Sequence, residues 1–166
     1  MDYNYDSASH CYYVRLDEGE KIIESLSALA KENDIRYASI LSGIGSVDTL
    51  QMGACHTSED KSLNKVLSGH FSINAMQGTI LLQDNQPTPH IHINYTEMDI
   101  TSKNISRGGH MFEGTCKTTM EIVISRAANA FFKREENNND TGASHIENER
   151  HCAIGPAKEP PKPPLR

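Results

Sequence analysis

Along residues 1–34 the spacing of apolar residues changes once, from a strand-like run to a helical one. Tyr12, Tyr13, Val14 and Leu16 form a short β-rich segment. Ile22, Ile23, Leu26, Leu29 and Ala30 then recur at helical spacing, with Lys21, Glu24 and Lys31 on the opposite side. Asp17 stands where it can cap the start of that helix, and Glu20, three residues on, can reach back to it. The pattern predicts one amphipathic helix that ends near Glu32-Asn33-Asp34 and lays its apolar stripe on a sheet.

The rest of the pattern is strand-like. Residues 36–41 form a second β-rich run, and strand–helix–strand in so few residues places both strands in one sheet with the helix across it. Gly43 and Gly45 follow without the third glycine and helix of a dinucleotide fingerprint, so they are read as allowing a bend, a bulge or a close backbone approach. Val47 to Ala54 continues as a strand, and 56–61 is a polar turn. Leu63 to Leu67 reads as a short hairpin arm, and Phe71, Ile73 and Ala75 alternate with polar residues. Thr79 to Leu82 is apolar on both faces. Residues 84–89 read as a loop by composition, His90 to Tyr95 as a strand and 97–103 as a turn. Two further runs, Ile105 to Gly114 and Thr118 to Ser125, complete about eight short strands of ordinary length. The expected fold class is α+β, mostly antiparallel.

Composition divides the 166 residues into a flexible start (1–10), one domain (11–134), and a polar, proline-rich tail (135–166) that can bury little and is expected to be disordered. Within the tail, Pro161, Pro164 and Arg166 match the P-x-x-P-x-R form of an SH3 ligand, a pattern common in proline-rich termini. No apolar run reaches the length of a membrane span, and the first residues lack the basic and apolar regions of a signal peptide, which points to the cytoplasm. Cys11, Cys55, Cys116 and Cys152 are scattered without a Cys-X-X-Cys pair, neither a zinc ribbon nor a disulfide framework. The net charge of −6, with Lys133-Arg134 as the densest basic pair and Glu135-Glu136 directly after it, argues against an independent grip on DNA phosphates.

Candidate chemistry concentrates in Pro89-His90-Ile91-His92-Ile93-Asn94. On a strand His90, His92 and Asn94 share one face, while Ile91 and Ile93 share the other. Two such histidines can converge on a metal ion, and His110, behind Gly108 and Gly109, is placed to supply a third ligand. Three histidines leave one tetrahedral position open, as in catalytic zinc sites, whereas a structural site is normally closed by four ligands. Asn94 is a poor zinc ligand but a candidate hydrogen-bonding group beside the site. As general bases only Glu113 and Glu121 stand near in sequence. No nucleophile elbow, phosphate loop or paired carboxylates accompany them, so the balance is against an enzyme. The other histidines (His10, His56, His70, His145, His151) read as solvated, with His70, at a strand start, the one worth locating.

The order of several motifs is itself informative. Leu16-Asp17-Glu18-Gly19-Glu20, Ser42-Gly43-Ile44-Gly45, Gly69-His70-Phe71-Ser72-Ile73, Pro89-His90-Ile91-His92 and Gly108-Gly109-His110-Met111-Phe112-Glu113-Gly114 follow one another without large gaps. Together, over about residues 11–134, they resemble the PPC domain, a family shared by plants and prokaryotes. The resemblance implies an α+β sheet sandwich with one main helix, assembled as a homotrimer, and a stand-alone domain of the prokaryotic kind. It further implies zinc held by His90, His92 and His110. Many members read His-X-His-X-His, and here Asn94 occupies the third place. Plant members carry an AT-hook and bind AT-rich DNA. Its Arg-Gly-Arg-Pro core is absent from this sequence, so the resemblance leads to a metal-binding regulatory or assembly module. DNA association, directly or through a partner protein, and a zinc-dependent hydrolase are the alternatives.

Overall fold

A computed structural model describes residues 1–54, 63–98, 105–127, 132–136 and 144–148. In chain order the elements are β1 (Asp2–Asp6), β2 (Cys11–Asp17), α1 (Ile22–Glu32), β3 (Tyr37–Ala54), β4 (Leu63–Gln83), β5 (Gln86–Glu97), β6 (Ser106–Arg126), β7 (Phe132–Glu136) and β8 (Ser144–Asn148). The α+β reading holds: among the described residues there is one helix, and every pairing is antiparallel except a single parallel bridge between β4 and β7, Leu82 to Lys133.

The strands do not divide into two separate sheets. β3 pairs with β4 and with β6, and β5 pairs with β4 and with β6, so these four close a ring of ladders within one eight-stranded network. Closure requires long strands, and β3, β4 and β6 run for 18, 21 and 21 residues, well beyond the short strands expected. Their bends are absorbed by shifts of register, at Ile40/Ser42, Gly45/Val47 and Val47/Thr49 of β3 and at Ile73/Ala75 of β4. Gly45 sits at one such point, where a Cβ would lie 2.2 Å from the carbonyl oxygen of Thr119. Glycine is there for the close approach of two backbones, and the strand continues through it.

β2 and β3 lie in one network with β6 antiparallel between them, and α1 crosses from one to the other. Ile22, Leu26, Leu29 and Ala30 of the helix are buried in the same core as Leu16, Leu50, Ile91, Met111 and Ile122. Lys21 at the N-cap makes no side-chain capping bond. Glu20 does reach back to the N–H of Asp17 (2.8 Å), but the cap of the helix itself comes from β6. The Glu113 carboxylate accepts from the N–H of Ile23 (2.8 Å) and of Glu24 (3.3 Å), placing a negative charge at the positive end of the helix dipole.

Paired strands are present toward both ends of the described residues. Residues 2–6, expected to fray, pair with 11–15 as a hairpin arm. Tyr3 and Tyr5 lie against Tyr12, with ring centroids 6.1 and 4.6 Å away, and the Met1 ammonium pairs with Glu20. At the other end β7, which runs across the boundary at 134/135, and β8, within the stretch assigned to the tail, form an antiparallel ladder, because a ladder pairs backbone groups whatever the polarity of the sequence. The turns at 56–61 and 99–103 and the tail at 137–143 and 149–166 lie outside the described residues.

Candidate metal centre

Three strands position the histidines. The polypeptide reverses between β4 and β5 at Asp84 and Asn85, both with positive φ (50° and 60°), the backbone of a tight primed hairpin turn. The loop expected over 84–89 is therefore a two-residue turn, and Pro87 and Pro89 already belong to β5. There β5 pairs with β4 alone, and an edge tolerates the missing donors. Gly78 brings β4 close to the histidine strand, since a Cβ there would fall 2.1 Å from the carbonyl oxygen of His90.

Side chains alternate along β5 as its sequence requires. Ile91, Ile93 and Tyr95 are buried, while His92 and Asn94 are exposed and His90 is half-buried. The inward row holds the strand against the core, where α1 packs on β5 and β6, and the outward row presents the imidazoles. His110 on β6 stands directly opposite His92 in the ladder. Gly108, the partner of Asn94, leaves room for that amide, because a Cβ would come within 2.5 Å of Asn94 Oδ1. Gly53 on β3 likewise makes space for the ring of Phe112, which meets the His110 ring edge-on at 4.5 Å.

The three imidazoles offer ligand nitrogens that all lie within 4.8 Å of one another. His90 Nε2 and His92 Nε2 are 3.3 Å apart, which equals the edge of a tetrahedron of zinc–nitrogen bonds, about 3.3 Å for bonds of 2.0–2.1 Å. A donor set of imidazoles without thiolate suits a borderline cation such as zinc. The residues present thus fit the group.

Neither candidate base joins the histidines. Glu113 is committed to the helix N-terminus and to the N–H of Gly114 (2.9 Å). Glu121 lies far along β6, paired with Arg15. Gln77, which sequence alternation alone did not single out, pairs with His92 from β4 on the same face, and Thr79 pairs with His90. The signal was the alternation Ala75-Met76-Gln77-Gly78-Thr79, legible only once the β4–β5 register is known. Of the other histidines, His10 shares a hydrogen bond with Tyr5 Oη (3.2 Å). His70 is exposed within β4, its carbonyl accepting from Met98 N–H. The side chains of His56, His145 and His151 lie outside the described residues. Cys11 and Cys116 are buried free thiols. Burial pushes the Cys116 thiol above its ordinary pKa and does the same to the Tyr95 phenol.

The family model of the Plants and Prokaryotes Conserved (PCC) domain, the PPC domain named above, matches residues 3–128. No curated protein matches the chain. Among solved structures, a candidate DNA-binding protein from Bacteroides thetaiotaomicron superposes with a TM-score of 0.77 at 24% identity, over 89% of this chain and 99% of that one. A candidate DNA-binding protein from Ralstonia eutropha JMP134 gives 0.74 at 20% identity, over 87% and 94%. A metal-containing protein from Archaeoglobus fulgidus gives 0.68 at 22% identity, over 85% and 93%. At these identities the likeness is one of fold.

Proposed function

This chain belongs to the Plants and Prokaryotes Conserved domain family, and from that premise we propose that it is a metal-binding regulatory or assembly module of the cytoplasm, a homotrimer that holds zinc through His90, His92 and His110. The observation that carries the reading is the 3.3 Å separation of His90 Nε2 and His92 Nε2, with His110 directly across the ladder. Support also comes from the metal-containing relative of the same fold. When bound, the ion would supply a Lewis-acidic position with room for a further ligand. The chain's part is to hold the three rings on one rigid face, Ile91, Ile93 and Met111 fixing the strands from beneath. A hydrolase reading finds no support in Glu113 or Glu121, given where each lies.

The test is elemental analysis of the purified protein beside a His90→Ala/His92→Ala variant. The native chain should carry close to one equivalent of metal and the variant almost none; equal contents in both would sink the site.

A second reading, DNA association, draws on the names of two relatives. No membrane-crossing helix competes with it among the described residues, and the charge of −6 opposes it. A gel shift on AT-rich duplex that persists at low salt and fades with added salt would support direct binding. No shift at low salt would leave only association through a partner.

A further inference from the structure

Beyond the histidines their face opens into a shallow groove of about 490 Å³, lined by Ala75, Gln77, His92, Ile93, Asn94, Gly108 and Gly109. The strand register explains its shape. Ala75 pairs with Asn94 and Asn94 with Gly108, so the row next to the histidines is a methyl group, an amide and bare backbone. The adjoining row is Gln77, His92 and His110. Two carboxamides therefore flank a depression whose floor is made of small residues, one strand position from the proposed metal.

Electrostatics and size select what fits. Three neutral imidazoles leave the two positive charges of a divalent ion uncompensated, so the ion favours an anionic ligand atom. Among the described residues the groove lining contains no carboxylate, ammonium or guanidinium, which favours an uncharged remainder of the ligand. Gln77 and Asn94 each offer an N–H₂ donor and a carbonyl acceptor, which suits a carbonyl or amide group. Two carboxamides and an imidazole share the lining with Ala75, Ile93 and glycine backbone, and the shallow opening selects a small molecule with polar groups to meet the amides. Resting on the metal reading above, we propose that this groove is a ligand subsite of the centre. Its ligand is a small carboxylate with an uncharged carbonyl or amide group at the adjacent carbon. The carboxylate end is directed at the three-histidine centre, and the uncharged end lies between the amides of Gln77 and Asn94.

The experiment uses the full chain loaded with cobalt(II), whose visible absorption reports its ligands, titrated with oxamate. Oxamate should change the spectrum saturably. A Gln77→Ala/Asn94→Ala variant should keep the cobalt spectrum of the unliganded protein and bind oxamate about tenfold more weakly, the loss expected for two hydrogen bonds. Acetate, which lacks the uncharged end, should bind native protein and variant alike. Cobalt uptake with no response to oxamate, or an oxamate affinity equal in native protein and variant, overturns the subsite and leaves the metal centre standing. An equal loss for acetate also overturns it, since the amides would then be acting on the ion. Failure to take up cobalt overturns the metal reading, and the subsite with it.

Discussion

Glu113 shows how one side chain can be read as chemistry in the sequence and turn out to be structural. Its carboxylate accepts from Ile23, Glu24 and Gly114, tying β6 to the start of α1 at a point where Lys21 provides no cap of its own. Glu113→Ala should destabilise the fold by about 1–2 kcal/mol in urea unfolding while leaving metal content unchanged. Metal loss without loss of stability would place Glu113 in the centre instead. Cys116 is a second residue defined by its surroundings. It is fully buried, its Sγ faces the carbonyl oxygen of Leu16 at 3.6 Å, and burial holds its thiol above the ordinary range. The thiolate is the reactive form, so burial makes Cys116 ionise less readily than an ordinary thiol. Iodoacetamide should leave it unmodified in the native protein and alkylate it rapidly in urea; rapid native labelling, located by mass spectrometry, would contradict the burial.

At the scale of elements, the site depends on how closely β4 and β5 approach. Gly78 sets that distance, because a Cβ would lie 2.1 Å from His90 O and 3.0 Å from Ile91 Cα. Both contacts are with backbone, which cannot swing aside as a side-chain tip can. Gly78→Ala should cost about 1–3 kcal/mol through overpacking and should also lower metal content by displacing His90. Denaturation midpoints and metal stoichiometry on one preparation would check both effects. An alanine variant with native stability would mean the strands relax without strain.

For the whole molecule, the ring of β3, β4, β5 and β6 buries the inner rows against one another and α1, leaving apolar side chains outside. Tyr13, Leu41 and Ile44 are about half exposed (50, 52 and 50%) on β2 and β3, the two strands that flank β6. Such side chains favour contact with further copies of the chain, in line with the proposed homotrimer. Light scattering should return three times the chain mass of 18.4 kDa, and Tyr13→Lys/Ile44→Lys should lower it. A native mass of one chain would overturn the trimer.

What the sequence determined by itself was local in origin. The helix over 22–32 is fixed by apolar spacing, the inward row of Ile91 and Ile93 by strand alternation, and the shared face of His90, His92 and Asn94 by the same alternation. The glycines at 108 and 109 mark room for close backbone approach beside His110, while those at 43 and 45 left a bend, a bulge and a close approach equally open. Tertiary structure decided everything that depends on register and reach. Polar and glycine-containing bends at 42–46, 68–70 and 115–117 read as strand ends, yet bulges carry the ladders through them and three runs become strands of 18 to 21 residues. Only the pairing of β5 with β6 sets His110 opposite His92, and only the pairing with β4 brings Gln77 alongside. Backbone hydrogen bonds between distant segments leave no periodic trace in either segment alone, so these neighbours become visible only once the ring of strands has closed.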